Sequence, residues 1–201
     1  MVSVRSRAIL VAELLLAAAV CALWNSSFPV LLPLFVLATV ALWVRGRSWN
    51  SAGLTAGPGS ALEAVVGLLC GGAAAVAVFA ALGPGAMPSL SALPPGITAA
   101  VMTAITVVAL AFAAELAFRG YVITRITEQF GASWRWHAVV VGGLLPALAA
   151  WRLGPVAMLG AMAAGVGFGA LFVGARGRIV ACGCAHVGFD GGLSVLGLWF
   201  L

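Results

Sequence analysis

Two short runs in an otherwise apolar chain carry the side chains that could do chemistry. Ala114-Glu115-Leu-Ala-Phe118-Arg119-Gly120 places a carboxylate and a guanidinium four residues apart. Cys182-Gly-Cys-Ala-His186-Val-Gly-Phe-Asp190 places an imidazole and a carboxylate at the same spacing. Residues four apart share one face of a helix, so each run predicts a local pair. A carboxylate can take a proton from water, and an imidazole can hold a water, a metal ion or a developing oxyanion; together these are the parts of a hydrolytic site. The same groups fit a second reading, an ion-pair network that fixes helix packing, with Arg119 neutralising Glu115 and Asp190 orienting His186.

The elements that must position these residues follow from composition. The chain is 64% hydrophobic and 7% charged, with mean hydropathy +1.18. An average soluble domain is about 25% charged. A soluble core has no room for so much apolar surface, so the class is membrane and the fold all-α. A span needs roughly 20 apolar residues, which allows about seven. Breaks at glycine, proline and arginine clusters put spans at 8–24, 28–44, 61–82, 98–124, 136–151, 155–174 and 179–200. This predicts a polytopic helical bundle made of a two-helix segment over 1–44, a juxtamembrane loop over 45–60 and a core over 61–201.

Charge gives the orientation. Short cytoplasmic loops collect arginine. With the N-terminus inside, Arg5, Arg7, Arg45, Arg47, Arg125, Arg135, Arg176 and Arg178 fall on the cytoplasmic side, and Arg152 falls outside. The expected location is a cytoplasmic or inner cell membrane, crossed several times. Residues 1–24 read as a span rather than a cleaved signal, because Glu13 interrupts a long apolar run that no small-x-small site closes. With both pairs on helices of opposite direction, a rise of about 1.5 Å per residue brings them to similar depths. One buried polar cluster opening toward the cytoplasm is the expectation.

Other features are quieter. The four cysteines lie in apolar spans, where packing rather than a disulfide is expected. Arg45-Gly-Arg-Ser-Trp-Asn-Ser-Ala-Gly-Leu-Thr mixes charge and aromatic rings as an interfacial segment does. Residues 83–96 hold four prolines, three glycines and no charge, the mark of a connector. Gly165-Val-Gly-Phe-Gly169 is a small-residue stripe of the kind that packs helices within a bundle or between copies. No phosphate loop, dinucleotide fingerprint or extended basic region is present, which removes support for nucleotide or nucleic-acid binding.

The run 114–120 resembles the Glu-Glu-x-x-x-Arg motif of the CAAX protease and bacteriocin-processing (CPBP, or Abi) family of intramembrane proteases. His186-x-x-x-Asp190 is similar to that family's last motif, His-x-x-x-Asn or Asp. Arg47-Ser-Trp-Asn-Ser-Ala-Gly-Leu is similar to a segment that precedes its core helices. The resemblance implies proteolysis at the bilayer, as in the enzymes that trim prenylated CAAX proteins, with a carboxylate activating water and the last motif assisting. It leaves open a divalent metal such as zinc, for which His186 is the ligand to consider. Site residues on this resemblance are Glu115, Arg119, His186 and Asp190. The implied partners are membrane lipid and a hydrophobic or prenylated peptide; the oligomeric state is left open.

Two positions depart from the pattern. Anchored on Phe118-Arg119-Gly120, the first glutamate position is Ala114, and using Glu115 instead turns the carboxylate by about 100° around the helix. The family's middle histidine should fall in Gly143–Trp151, where Ala149 or Ala150 stands. His137, beside Trp134 and Trp136, reads as an interfacial residue too shallow to replace it. Cys182, one turn before His186, reads as packing before it reads as a soft metal ligand. The functional expectation is an endopeptidase-like protein of impaired or altered catalysis. The alternative is a non-catalytic scaffold that binds hydrophobic or lipidated peptides in immunity or regulation. A transporter lacks the broken-helix pair that would support it.

Overall fold

The computed structural model describes residues 4–23, 31–55, 57–82 and 97–199. All regular structure among them is helical: α1 (Val4–Leu23), α2 (Leu31–Val44), α3 (Ser60–Leu82), α4 (Ile97–Glu115), α5 (Thr124–Phe130), α6 (Arg135–Ala149), α7 (Pro155–Gly174) and α8 (Val180–Trp199). Each expected span meets one helix, except that the fourth runs on. From Glu115 the chain continues without a break as a π-helical stretch, Leu116–Ile123, and then as α5. The connector expected at 83–96 lies outside the described residues.

Helices dominate because an apolar medium offers no partner to backbone N–H and C=O groups, which a helix satisfies internally. Three stretches are long and apolar enough to cross a membrane: Ser60–Ala81, Val101–Phe130 and Pro155–Gly174. Leu32–Val44 and Val180–Leu196 are shorter apolar stretches. The 14 residues of α2 reach only about 21 Å, less than a hydrocarbon core of about 30 Å. Leu15, Leu62, Leu69 and Leu159 are each about two-thirds exposed, as side chains facing lipid would be.

The chain forms two compact units, each discontinuous in sequence: Met1–Thr55 with Ala113–Ile179, and Ala56–Phe112 with Val180–Leu201. In the first, α1, α2, the π-helical stretch, α5, α6 and α7 share a core that includes Leu10, Leu34, Phe118, Val139 and Phe172. The glycine stripe of α7 is used inside this unit, where Gly165 meets Gly143 and Gly169 meets Val139 on α6. In the second unit α3 lies against α8 with the backbones almost touching. A Cβ on Gly71 would fall 1.9 Å from the Ala185 carbonyl oxygen, so only glycine permits this approach.

Candidate functional site

Glu115 closes α4 and Arg119 sits four residues on, within the π-helical stretch. Their side chains pair at 3.0 Å, with 0% of the Glu115 side chain and 3% of the Arg119 side chain exposed. The guanidinium also donates to the Gly165 carbonyl of α7 at 3.1 Å and lies between the Phe118 and Phe168 rings, 5.7 Å from each. Its Nε makes no hydrogen bond. The pair is therefore formed as the spacing predicts, inside the core of the first unit.

The π-helical stretch was not foreseen. Its hydrogen bonds run five residues back instead of four, a distortion often found at functional sites. Beside it packs a 3-10 turn, Trp49–Ala52, which a stacked Phe35–Trp49 pair holds at 4.8 Å and 3°. Gly120 admits this turn, for a Cβ there would fall 2.3 Å from the Ala52 carbonyl oxygen. The glycine after Arg119 thus has a packing reason. The segment from Arg45 to Thr55, read as interfacial, is packed into the unit: Ala52 is buried and Gly53 accepts from the Ile179 N–H.

His186 and Asp190 lie on α8 in the second unit, at a height set by the close approach of α3 to Ala181 and Ala185. Nε2 of His186 is 3.5 Å from Oδ2 of Asp190, with 24% and 42% of the side chains exposed. This is long for a hydrogen bond and within ion-pair distance when the imidazole is protonated. None of the four cysteines is in a disulfide; Cys21 and Cys182 are buried as packing residues are, whereas Cys70 is exposed and Cys184 half-buried. Among the described residues no three His, Cys, Asp or Glu side chains gather as a metal-binding group. A zinc donor set around His186 is not assembled among them.

Each expected pair is thus brought together, Glu115 with Arg119 and His186 with Asp190, one in each unit. His137 is exposed with its ring 4.9 Å from Trp134, as its interfacial reading anticipates. Ala149 ends α6 and Ala150 follows it, so the position of the missing histidine is roughly 18 Å along the helix from His137. Ala114 is 1% exposed, and a glutamate placed there would be buried.

A second polar cluster in the first unit escaped the sequence reading. Tyr121 donates to Glu13 Oε2 at 2.6 Å, while Arg45 reaches Glu13 Oε1 at 2.5 Å, the Ala41 carbonyl at 3.0 Å and the Tyr121 hydroxyl at 3.3 Å. Burial disfavours the Arg45 charge, but the Glu13 hydrogen bond and the neighbouring charges outweigh it and raise the guanidinium pKa. Nearby, Glu128 is shared by Arg47 at 2.6 Å and by Arg125. Glu13 lies 32 residues from Arg45 and 108 from Tyr121 in sequence, beyond the reach of any local spacing rule.

Residues 96–192 match the model of the family described as type II CAAX prenyl endopeptidase Rce1-like. The match takes in α4 through most of α8, and with it Glu115, Arg119, His186 and Asp190; the similar segment at 47–54 lies before it. No curated protein and no solved structure matches the chain.

Proposed function

Because the chain belongs, through residues 96–192, to the Rce1-like type II CAAX prenyl endopeptidase family, we propose that it handles prenylated or similarly hydrophobic peptide tails at the membrane as an endopeptidase-like protein of altered catalysis. The supporting observation is the buried Glu115–Arg119 pair, held on a π-helical distortion inside the matched segment. Peptide hydrolysis needs a base for water, a donor for the oxyanion and a proton for the leaving amine. Glu115 is assigned as the base and Arg119 as the group that holds its carboxylate. His186 and Asp190 are kept as a proton-donating pair on the resemblance to the family's last motif alone.

Two facts make this catalysis altered. Alanine occupies position 114, where the family's first glutamate stands, and alanines occupy 149 and 150, where its middle histidine is expected. A general base contributes about 10² to 10⁴ in rate, so a displaced one leaves a slow enzyme. Full burial of Glu115 favours a second reading, in which the pair is structural and the protein binds hydrophobic or lipidated peptides without cutting them. Either activity belongs in a multi-pass protein of a cytoplasmic or inner membrane, with seven spans and the arginine-rich end inside.

Cleavage of a prenylated CAAX-type peptide and a panel of membrane peptides by the purified protein separates the readings. Slow cleavage that disappears in Glu115→Gln, survives EDTA and rises in Ala114→Glu supports the protease. No cleavage by wild type or Ala114→Glu, with peptide still bound, rejects it in favour of the binding scaffold. The variants are compared only where their thermal midpoints show them folded.

A further inference from the structure

A cleft of about 500 Å³ opens in the first unit between α5 and the end of α7. Its charge comes from Arg135, the first residue of α6, and Arg176, just past α7. Both are exposed, and neither guanidinium has a partner among the described residues. The one carboxylate on the wall, Glu128, is already held by Arg47 and Arg125. The cleft is therefore positive. Phe172 and Val173 give it an apolar side, and Trp134 and Trp136, about half exposed, flank Arg135 as rings at a membrane interface do.

Arg176 is the only non-glycine among the described residues with positive φ, at 57°. It fills the position after a helix that glycine usually takes. The Gly177 N–H returns to the Phe172 carbonyl at 2.9 Å and the Arg176 N–H to the Val173 carbonyl at 3.1 Å. Glycine would make this turn without strain, so the turn itself does not call for an arginine. A cation at a helix C-terminus does gain from the dipole. That benefit leaves unexplained why the cation faces a cleft already carrying Arg135.

We propose that this cleft binds the phosphate of an anionic phospholipid headgroup, with Arg135 and Arg176 donating to its oxygens and the acyl chains leaving past the apolar side. The site requires membrane embedding and is independent of whether the protein cuts peptides. Free phosphate shares the headgroup's chemistry, and a peptide carboxylate is the competing anion.

Native mass spectrometry of the full chain, titrated in detergent with phosphatidylglycerol or phosphatidylcholine, counts bound lipid. Wild type is expected to retain phosphatidylglycerol preferentially. Arg176→Gly and Arg135→Gln are each expected to weaken that retention about fivefold, the usual worth of one arginine at an anionic lipid surface. The thermal midpoint of Arg176→Gly should hold or rise; if it falls, Arg135→Gln, exposed and outside the turn, decides alone. Unchanged preference in the folded variants overturns the proposal. So does displacement of lipid by equimolar inorganic phosphate, which makes free phosphate the ligand, or by a prenylated peptide acid but not its amide, which makes the cleft a carboxylate site.

Discussion

Arg119 and Glu115 stand in for water around each other, and the cost of separating them should show. Removing one member of a buried pair leaves an uncompensated charge, whereas removing both can be nearly neutral. Arg119→Met should lose about 3–5 kcal/mol in denaturant unfolding in micelles, with most of it recovered in Glu115→Gln/Arg119→Met. A single-variant loss below about 1 kcal/mol would mean the pair is solvated and dispensable. Tyr121→Phe should lose about 1.5–3 kcal/mol, because its hydroxyl donates to the Glu13 carboxylate at 2.6 Å. An unshifted midpoint would show that water takes the tyrosine's place. Both local pairs were legible in the sequence, since four residues fix a helical face. The Glu13–Arg45–Tyr121 cluster was not, since its members meet only once three separate segments pack.

Helix positions were also legible, because apolar length and arginine breaks carry them. What sequence left open was which helix touches which. Gly67, Gly71, Gly188 and Gly192 were readable as small residues four apart, yet nothing local says that α3 and α8 use them on each other. Gly71→Ala should therefore lower the thermal midpoint by the equivalent of about 1–3 kcal/mol, as overpacking does. Gly72→Ala, with no atom within 4 Å of its added Cβ, should leave it unchanged. Because Ala185 adjoins His186, the Gly71 variant should also disturb any cleavage that depends on the α8 pair. Equal midpoints for the two variants would mean α3 and α8 slide apart freely. The π-helical register had no residue signature, because an extra residue in the turn changes hydrogen bonds rather than hydropathy. Only the glycine at 120 hinted that something approaches there.

At the scale of the molecule, the distribution of arginines is the strongest guide to how the chain lies in the bilayer. In the first unit Arg7 sits 5.3 Å from the Phe130 ring, Arg47 and Arg125 share Glu128, and Arg135 and Arg176 line the cleft. These residues come from five segments and meet at one end. Arg152 stands at the other end of α6, beside Trp151, whose indole donates to the Ala22 carbonyl near the end of α1. Positive charge is retained on the cytoplasmic side during insertion, so the arginine-rich end should face the cytoplasm. Ser48 and Leu153 are exposed at the two ends and suit a direct test. In a background with the four native cysteines replaced by alanine, an impermeant thiol reagent should label Leu153→Cys in intact cells and Ser48→Cys only after permeabilisation. The reverse pattern would turn the molecule over and put the anion-binding cleft on the outer surface. Labelling of both from outside would mean that α6 does not cross the membrane; its 15 residues, about 22 Å, make that a real test of whether neighbouring helices carry a short one through.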